Sequence, residues 1–258
     1  MAKFITKSFA AALKRFGYDF HINHKDFYTD NRNNEFSYEL IKTTASYAPW
    51  LDDRDFMEVF KTISGYTLVE SYRVFELWSL VGEACKLPGK GALLEVGVWR
   101  GGTSGVIARK MELCGSGDIL YAADTFTGVV KSSEKDATYN DGDHADTDLD
   151  LVKKLLYKDL GLSNVELLQG IFPDDTAKFI PQDTRFRFCH IDVDVYNSAE
   201  GILDWVWERM LVGGIVVFDD YGFITCNGIT RFVNEQRSRK DRLFIYNLNG
   251  HAILIKLF

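Results

Sequence analysis

Three aspartates follow two apolar segments in an arrangement that suits a divalent cation. Asp192 ends the apolar run in HIDVDVY, and Asp219 and Asp220 end that of GGIVVFDDYG, 27 residues after Asp192. That separation is enough for one helix that returns to a neighbouring parallel strand, about 4.8 Å away. Carboxylates gathered at one point repel one another unless a cation neutralises them. Because all these donors are oxygens, we predict a site for Mg²⁺ before Mn²⁺ or Ca²⁺; the alternative is separate helix caps and surface charges.

Two further residues are candidates for a base beside this site. Asp194 lies two residues beyond Asp192, so in extended chain its side chain leans to the same side, where it suits a base rather than a ligand. His144 is a reserve base in the acidic segment 133–150, SEKDATYNDGDHADTDLD. We expect that segment to be a solvated, mobile loop, with a lid over the site as the alternative. The other four histidines are expected to have structural roles.

A glycine-rich turn after an earlier apolar run indicates a nucleotide-type pocket. In ALLEVGVWRGGTS the run ends in Glu95 and Gly97, and a helix is expected to begin near Gly101 and Thr103. Glycines let the chain turn sharply and let a ligand approach the backbone, while a helix N-terminus offers free amide donors. The dinucleotide fingerprint is absent, because Trp99 stands where a second glycine would contact pyrophosphate, which argues against NAD or FAD.

The acid at the end of the next apolar run suits a ribose. Asp124 closes ILYAAD, 22 residues after Gly102. A carboxylate offers paired acceptors for two ribose hydroxyls at this place in an α/β unit. The alternative is that Asp124 is a helix cap or turn former in DTFTG.

Short apolar runs alternate with amphipathic segments, which predicts an α/β fold with a doubly wound, mainly parallel sheet. Upstream, apolar residues at helical spacing predict a helix over 66–85. Strands are predicted at 92–97, 119–123, 165–169, 186–192, 214–218, 243–247 and 252–257. Helices are predicted near 103–113, 149–160, 197–210 and 229–238. In such sheets ligands bind outside the carboxyl ends of the strands, where all of these motifs fall.

The composition excludes several classes of protein. With 30 Lys and Arg against 37 Asp and Glu, the formal charge of −7 argues against nucleic acid as a partner. The 258 residues are 46% hydrophobic and 14% aromatic, which supplies one large core and excludes general disorder. Four scattered cysteines without a CxxC pair favour a reducing, cytoplasmic setting. Neither a signal-type segment nor a membrane span is recognised, so we expect a soluble protein.

Taken together, the motifs resemble the TylF/MycF-type sugar O-methyltransferases over roughly residues 62–258. The matching segments are GYTLVESYR, LEVGVWRGG, ADTFTG, GIFPDDT, HIDVDVY and GGIVVFDDYG. The resemblance implies a Rossmann-like class I methyltransferase fold, with a seven-stranded sheet whose final strand is antiparallel. It also implies S-adenosylmethionine and Mg²⁺ as cofactors and a homo-oligomer. Residues 1–61 match nothing known; we expect a helical extension that contributes substrate or oligomer contacts.

The resemblance also implies roles for individual residues. Glu95, Gly97 and Gly101 resemble the methionine-side pocket, Asp124 the ribose acid, and Thr67 a position that helps to enclose the cofactor. The implied cofactor-binding set is Thr67, Glu95, Gly97, Gly101, Thr103, Asp124, Phe126 and Gly128. Asp192, Asp219 and Asp220 match the metal ligands, and Asp194 matches the general base. Ile171 departs from the family by standing where Trp is common.

The activity implied is methyl transfer from S-adenosylmethionine to a hydroxyl of a sugar, as on a glycosylated natural product. The first alternative is a metal-dependent methyltransferase of aromatic vicinal diols. Such enzymes are expected to carry a lysine base where this chain has Val195. The second alternative is a non-catalytic protein that binds a nucleotide-like ligand.

Overall fold

A computed structural model describes residues 35–39, 41 and 45–258 of the chain. The chain divides into two compact units, Met1–Lys42 and Thr43–Phe258. The second unit contains all the helices and strands described below. It begins at Thr43, upstream of the domain boundary predicted at residue 62. The contacts predicted for residues 1–61 stay predictions, since residues 1–34 lie outside the described part. Within the described ranges, the helices are too short or too polar to cross a membrane.

A seven-stranded sheet forms the centre of the second unit, as predicted. Its strands are β1 Ala92–Val96, β2 Leu120–Asp124, β3 Val165–Gln169, β4 Phe186–Ile191, β5 Met210–Phe218, β6 Arg242–Tyr246 and β7 Ala252–Lys256. The strand order is β3-β2-β1-β4-β5-β7-β6. Strands β1 to β5 pair in parallel, and β7 is antiparallel to both of its neighbours. The predicted doubly wound sheet with an antiparallel final strand is therefore confirmed.

Six α-helices accompany this sheet in the described part of the chain. They are α1 Arg54–Ile63, α2 Ser71–Ala84, α3 Gly102–Leu113, α4 Leu149–Lys153, α5 Tyr196–Trp207 and α6 Asn227–Glu235. Helix α4 continues into a π-helical turn, Lys154–Asp159. Each predicted helix is present, although several boundaries differ; α6, for instance, covers Asn227–Glu235 rather than 229–238. Helix α2 starts at Ser71 rather than residue 66, and α5 ends at Trp207 because Met210 is buried and pairs with Phe186 as the first residue of β5.

The sheet is apolar on both faces, which is why its strands are nearly continuous apolar runs. Leu93 and Val217 contribute to a core with residues of α1, α2 and α3. Their neighbours Leu94 and Val216 contribute to the opposite core with residues of α5 and α6. Successive side chains of a strand point to opposite faces, so helices cover both sides of the sheet. The carboxyl ends of β1, β2, β4 and β5 therefore meet at one edge, between the two helical layers.

Candidate active site

A cavity of about 350 Å³ lies at this edge of the sheet. The predicted site residues that line it are Thr67, Gly97, Thr103, Asp124, Gly128, His144, Asp192, Asp194, Asp219 and Asp220. Three predicted cofactor contacts, Glu95, Gly101 and Phe126, are not part of this lining. The cavity thus joins the glycine-rich turn after β1 to the aspartates after β4 and β5, as the sequence predicted.

Gly97 allows the ends of β1 and β4 to approach closely. Its φ is 93°, and a Cβ atom there would lie 1.6 Å from the carbonyl oxygen of Asp192. A side chain is therefore excluded by both backbone conformation and space. Because Asp192 is one of the predicted ligands, Gly97 links the shape of the turn to the position of this aspartate.

Replacing Gly97 by alanine is expected to lower the free energy of unfolding by about 3 kcal/mol, since strain and overlap add. Gly89 provides a matched control, because its φ is 82° and no atom lies within 4 Å of its Cβ position. Gly89→Ala should cost only the strain, about 1 kcal/mol. Urea unfolding of both variants measures the difference. Equal losses in the two variants would contradict the close approach at Gly97.

Asp124 holds the turn after β1 through its carboxylate. Oδ2 accepts hydrogen bonds from the backbone N–H groups of Val98, at 2.7 Å, and Trp99, at 2.8 Å. Oδ1 accepts one from Phe126 N at 2.6 Å. Burial raises the pKa of Asp124, and these amides oppose that rise. The turn-forming role weighed from the sequence is thus present, and contact with a ribose stays a prediction for the same carboxylate.

Glu95 has a different environment from the one the sequence suggested. It is fully buried, and its carboxylate accepts hydrogen bonds from Ser104 Oγ and from His190 Nδ1 at 2.9 Å. Gly101 packs against Val152 at the start of α3. Since these residues are engaged inside the protein, the structure does not support a direct contact between them and a ligand in the cavity. Phe126 is also buried and contributes its backbone N–H to the turn.

Three of the four aspartates that follow β4 and β5 fall into two groups of neighbouring side chains. One carboxylate oxygen each of Asp194 and Asp220 lies within 4.8 Å of the other and of Cys226 Sγ. Asp219 instead groups with His190 and His251, within the same 4.8 Å limit. Asp192 belongs to neither group. The predicted ligands thus line one cavity. Asp219 also lies next to His190 and His251, which the sequence did not connect with it.

The surroundings of Asp219 keep it ionised. Burial opposes its charge, but His251 and the guanidinium of Arg73, which donates to Oδ1, hold its pKa below the ordinary range. Asp219 and Glu76 in turn raise the pKa of His251 to about 9 against the effect of burial. At neutral pH, Asp219 is therefore a carboxylate between buried positive charges.

The other predicted ligands have the opposite electrostatic situation. Burial raises the pKa of Asp192 and of Asp220 well above the usual range, and neighbouring aspartates raise it further. In addition, Asp219 Oδ2 is buried without a hydrogen-bond partner among the described residues. Arg73 is the one Lys or Arg in the described lining. The crowded carboxyl groups of Asp192 and Asp220 fit a divalent cation at Asp192, Asp219 and Asp220, and so does the unpartnered Oδ2 of Asp219.

The acidic segment 133–150 lies over this cavity in the way expected of a lid. Tyr139 and His144 both line the cavity, with ring centroids 5.6 Å apart. Burial raises the pKa of Tyr139, and the neighbouring Asp194 carboxylate raises it further; burial also raises the pKa of Asp194. Asp146 accepts hydrogen bonds from Trp99 Nε1 at 2.9 Å and Arg100 Nη2 at 2.7 Å, which ties the segment to the turn after β1. Most residues of the segment are nevertheless exposed, so the structure contains the solvated loop of the first expectation together with two cavity-lining side chains that fit the alternative, and the mobility of the loop stays a prediction.

Several residues of the site were missed from the sequence: Arg73, Glu76, Tyr139, His190, Cys226 and His251. Only Arg73 could have been suspected, because it is a charged residue within the apolar pattern of α2. In the structure it is 5% exposed. The histidines carried no such signal, because a lone histidine in an apolar strand does not reveal its partner.

Comparison with known proteins gives a consistent result. The family model described as Macrocin-O-methyltransferase (TylF) matches residues 32–245. Mycinamicin III 3''-O-methyltransferase of Micromonospora griseorubida is 28% identical over 203 residues, 72% of this chain and 75% of that protein. The 8-demethyl-8-(2,3-dimethoxy-alpha-L-rhamnosyl)-tetracenomycin-C 4'-O-methyltransferase of Streptomyces olivaceus is 29% identical over 157 residues, 53% and 55% of the two chains.

A solved structure agrees at the level of the fold. The O-methyltransferase NovP superposes with a TM-score of 0.64 at 22% identity, covering 75% of this chain and 83% of that one. This likeness confirms the predicted Rossmann-like class I methyltransferase architecture.

Proposed function

The chain belongs to the macrocin O-methyltransferase (TylF) family, and we propose that it transfers a methyl group from S-adenosylmethionine to a sugar hydroxyl of a glycosylated natural product. The observation that carries this proposal is that four aspartates and the glycine-rich turn line the same cavity. The name of the Streptomyces olivaceus relative includes a rhamnosyl group, which supports a sugar as the acceptor. A homo-oligomeric assembly and a cytoplasmic setting remain part of the proposal.

The donor side of the cavity is the turn after β1 and the start of α3. Gly97 leaves the backbone open to a ligand, and Thr103 lies in the first turn of α3, whose free amides favour polar groups. Asp124 offers its remaining acceptor positions to ribose hydroxyls while it holds the turn. Thr67, in the loop before α2, adds a wall on the other side. These residues would hold S-adenosylmethionine.

The acceptor side contains the aspartates and the lid. When bound, S-adenosylmethionine would supply an activated methyl group, and Mg²⁺ would be held by Asp192, Asp219 and Asp220, where it would lower the pKa of the acceptor hydroxyl. Asp194 accepts the proton of the acceptor hydroxyl, and its burial makes it a better base than an exposed aspartate. Tyr139 lines the cavity beside Asp194, and the segment 133–150 limits the access of water to it. His144 remains the reserve base.

The alternative of a methyltransferase of aromatic vicinal diols is not supported at position 195, where such enzymes are expected to carry a lysine base. Val195 stands at the position of the expected lysine base, and its side chain is fully buried. The non-catalytic alternative requires a missing element of the pocket, whereas the turn, the base and the ligands line one cavity.

The proposed function is tested by binding and by turnover. Calorimetric titration with S-adenosylhomocysteine should give a saturable heat, and labelled S-adenosylmethionine should methylate members of a glycosylated natural-product panel. A matched panel of catechols should remain unmethylated. Methylation of catechols alone would replace the proposed acceptor by the alternative class. Absence of S-adenosylhomocysteine binding would leave a protein that does not use this donor.

A further inference from the structure

A buried row of ionisable side chains lies behind the cavity, and apart from Asp219 its members are not used by the mechanism above. It runs from Glu95 through His190, Asp219 and His251 to Glu76. The two histidines are 0% exposed and Asp219 is 2% exposed. The histidine rings are 6.3 Å apart at an interplanar angle of 73°, on either side of the Asp219 carboxylate. Ionisable groups are rarely buried in such a row without a function for their orientation.

Each histidine is oriented by a glutamate at its far nitrogen. His190 Nδ1 lies 2.9 Å from Glu95 Oε1, and His251 Nδ1 lies 2.6 Å from Glu76 Oε2. An ionised carboxylate only accepts hydrogen bonds, so Nδ1 of His251 is the donor to Glu76. The other nitrogens then face Asp219. Nε2 of His251 is 3.4 Å from Asp219 Oδ1, and Nε2 of His190 is 3.9 Å from Oδ2.

Glu76 fixes the position of His251 by holding the turn between β6 and β7. Its carboxylate accepts hydrogen bonds from Asn247 Nδ2 and, at 2.8 Å, from Asn249 Nδ2, as well as from His251. Pairing of Phe218 with Ala252 then sets His251, the residue before Ala252, beside Asp219. The place of this histidine is therefore determined by one side chain of α2 and by one strand pair.

The same helix reaches Asp219 by a second contact. Arg73 lies three residues before Glu76, on the same face of α2, and its guanidinium donates to Asp219 Oδ1. Helix α2 thus holds this carboxylate directly, and His251, which Glu76 fixes, lies 3.4 Å from the same oxygen as an ion-pair partner. Neither contact uses Oδ2, which is left without a partner among the described residues. These contacts fix Oδ1 of Asp219 and leave Oδ2 without a hydrogen bond, so that a ligand could use it.

We propose that Glu76 is a positioning residue, which acts through His251 to hold Asp219 in the orientation that binds a divalent cation. This inference rests on the proposed function, because it takes Asp219 as a ligand of the cation. Glu76 itself does not line the cavity and touches neither acceptor nor donor. Groups that orient metal ligands commonly change metal affinity 10- to 100-fold when they are removed.

The test measures Mn²⁺ affinity of the metal-free full chain by electron paramagnetic resonance, together with calorimetric binding of S-adenosylhomocysteine. Glu76→Gln and His251→Gln are each expected to weaken Mn²⁺ binding about tenfold. The double variant should be no weaker than either single one, because both substitutions interrupt the same connection. Binding of S-adenosylhomocysteine should be unchanged. Glu83→Gln is the matched control on α2, since the Glu83 side chain is 62% exposed and pairs only with Lys86; it should behave as wild type.

Four results would overturn the inference. Wild-type Mn²⁺ affinity in both single variants would mean that Asp219 needs no such support. Losses that multiply in the double variant would mean that the two residues act separately. A parallel loss of S-adenosylhomocysteine binding would mean a general structural role. If Glu76→Gln does not fold, the test compares the Mn²⁺ affinity and the S-adenosylhomocysteine binding of His251→Gln with those of the wild type. A wild-type chain that binds no Mn²⁺ would overturn both this inference and the proposed metal site.

Discussion

Asp194→Asn is expected to lower kcat for methyl transfer about 10²- to 10⁴-fold, the usual contribution of a general base. Asparagine has nearly the same shape but cannot accept the proton of the acceptor hydroxyl. Binding of S-adenosylhomocysteine should stay unchanged, because the proposed place of the donor is against the turn after β1. Transfer of a labelled methyl group at saturating substrates measures the effect.

Two matched variants make the result specific to Asp194. Asp150→Asn removes a carboxylate of the acidic segment whose side chain is 95% exposed, and it should leave the rate unchanged. His144→Asn removes the reserve base and should have a much smaller effect than Asp194→Asn. If His144→Asn carried the large loss instead, the two assignments would have to be exchanged.

Asp219 and Asp220 are adjacent in sequence, and their asparagine variants are expected to have opposite effects on stability. Asp220→Asn should raise the free energy of unfolding of the metal-free protein by about 1 kcal/mol, because it removes a buried charge that faces other carboxylates. Asp219→Asn should lower it by about 3 kcal/mol, because it leaves Arg73 without its buried partner. Urea unfolding in the presence of a chelator measures both.

Both variants should nevertheless lose methyl transfer, since each removes a predicted ligand. We expect Mn²⁺ affinity to fall more than about 100-fold in each, beyond the effect of residues that only orient ligands. Activity and stability therefore change together for Asp219 and in opposite directions for Asp220. A stabilised Asp220→Asn that retained full activity would mean that this aspartate is not a ligand.

The sheet and the position of the aspartates were predictable because the signals are local. Apolar runs such as GGIVVF are buried on both faces, and a polar residue directly after such a run must lie at the edge of the sheet. The length of the chain between Asp192 and Asp219 then sets their strands side by side. The end of α5 was less predictable, because apolar Met210 continues the helical pattern although it is the first residue of β5.

The surroundings of Asp219 were not predictable, because they depend on pairings between distant parts of the chain. Arg73 lies 146 positions away from Asp219, and His251 and Glu76 are 175 positions apart. A sequence pattern contains no information about such partners until the order of β5, β7 and α2 is known. For the same reason Glu95 resembled a cofactor contact, although its carboxylate is bound by His190 inside the protein.

The acidic segment 133–150 shows a related difficulty. Its composition is that of a solvated loop, and most of its residues are exposed, yet Tyr139 and His144 line the cavity. Charge density describes the outer surface of the segment and not the few side chains that turn inward. A lid and a loop therefore have the same composition.

The central claim is most directly tested by a crystal structure of the chain with S-adenosylhomocysteine and Mn²⁺, recorded with anomalous data. We predict one anomalous peak in the cavity, bound by carboxylate oxygens of Asp192, Asp219 and Asp220, with S-adenosylhomocysteine against the turn after β1. A cavity that holds S-adenosylhomocysteine but no ion, or an ion bound elsewhere, would contradict the account.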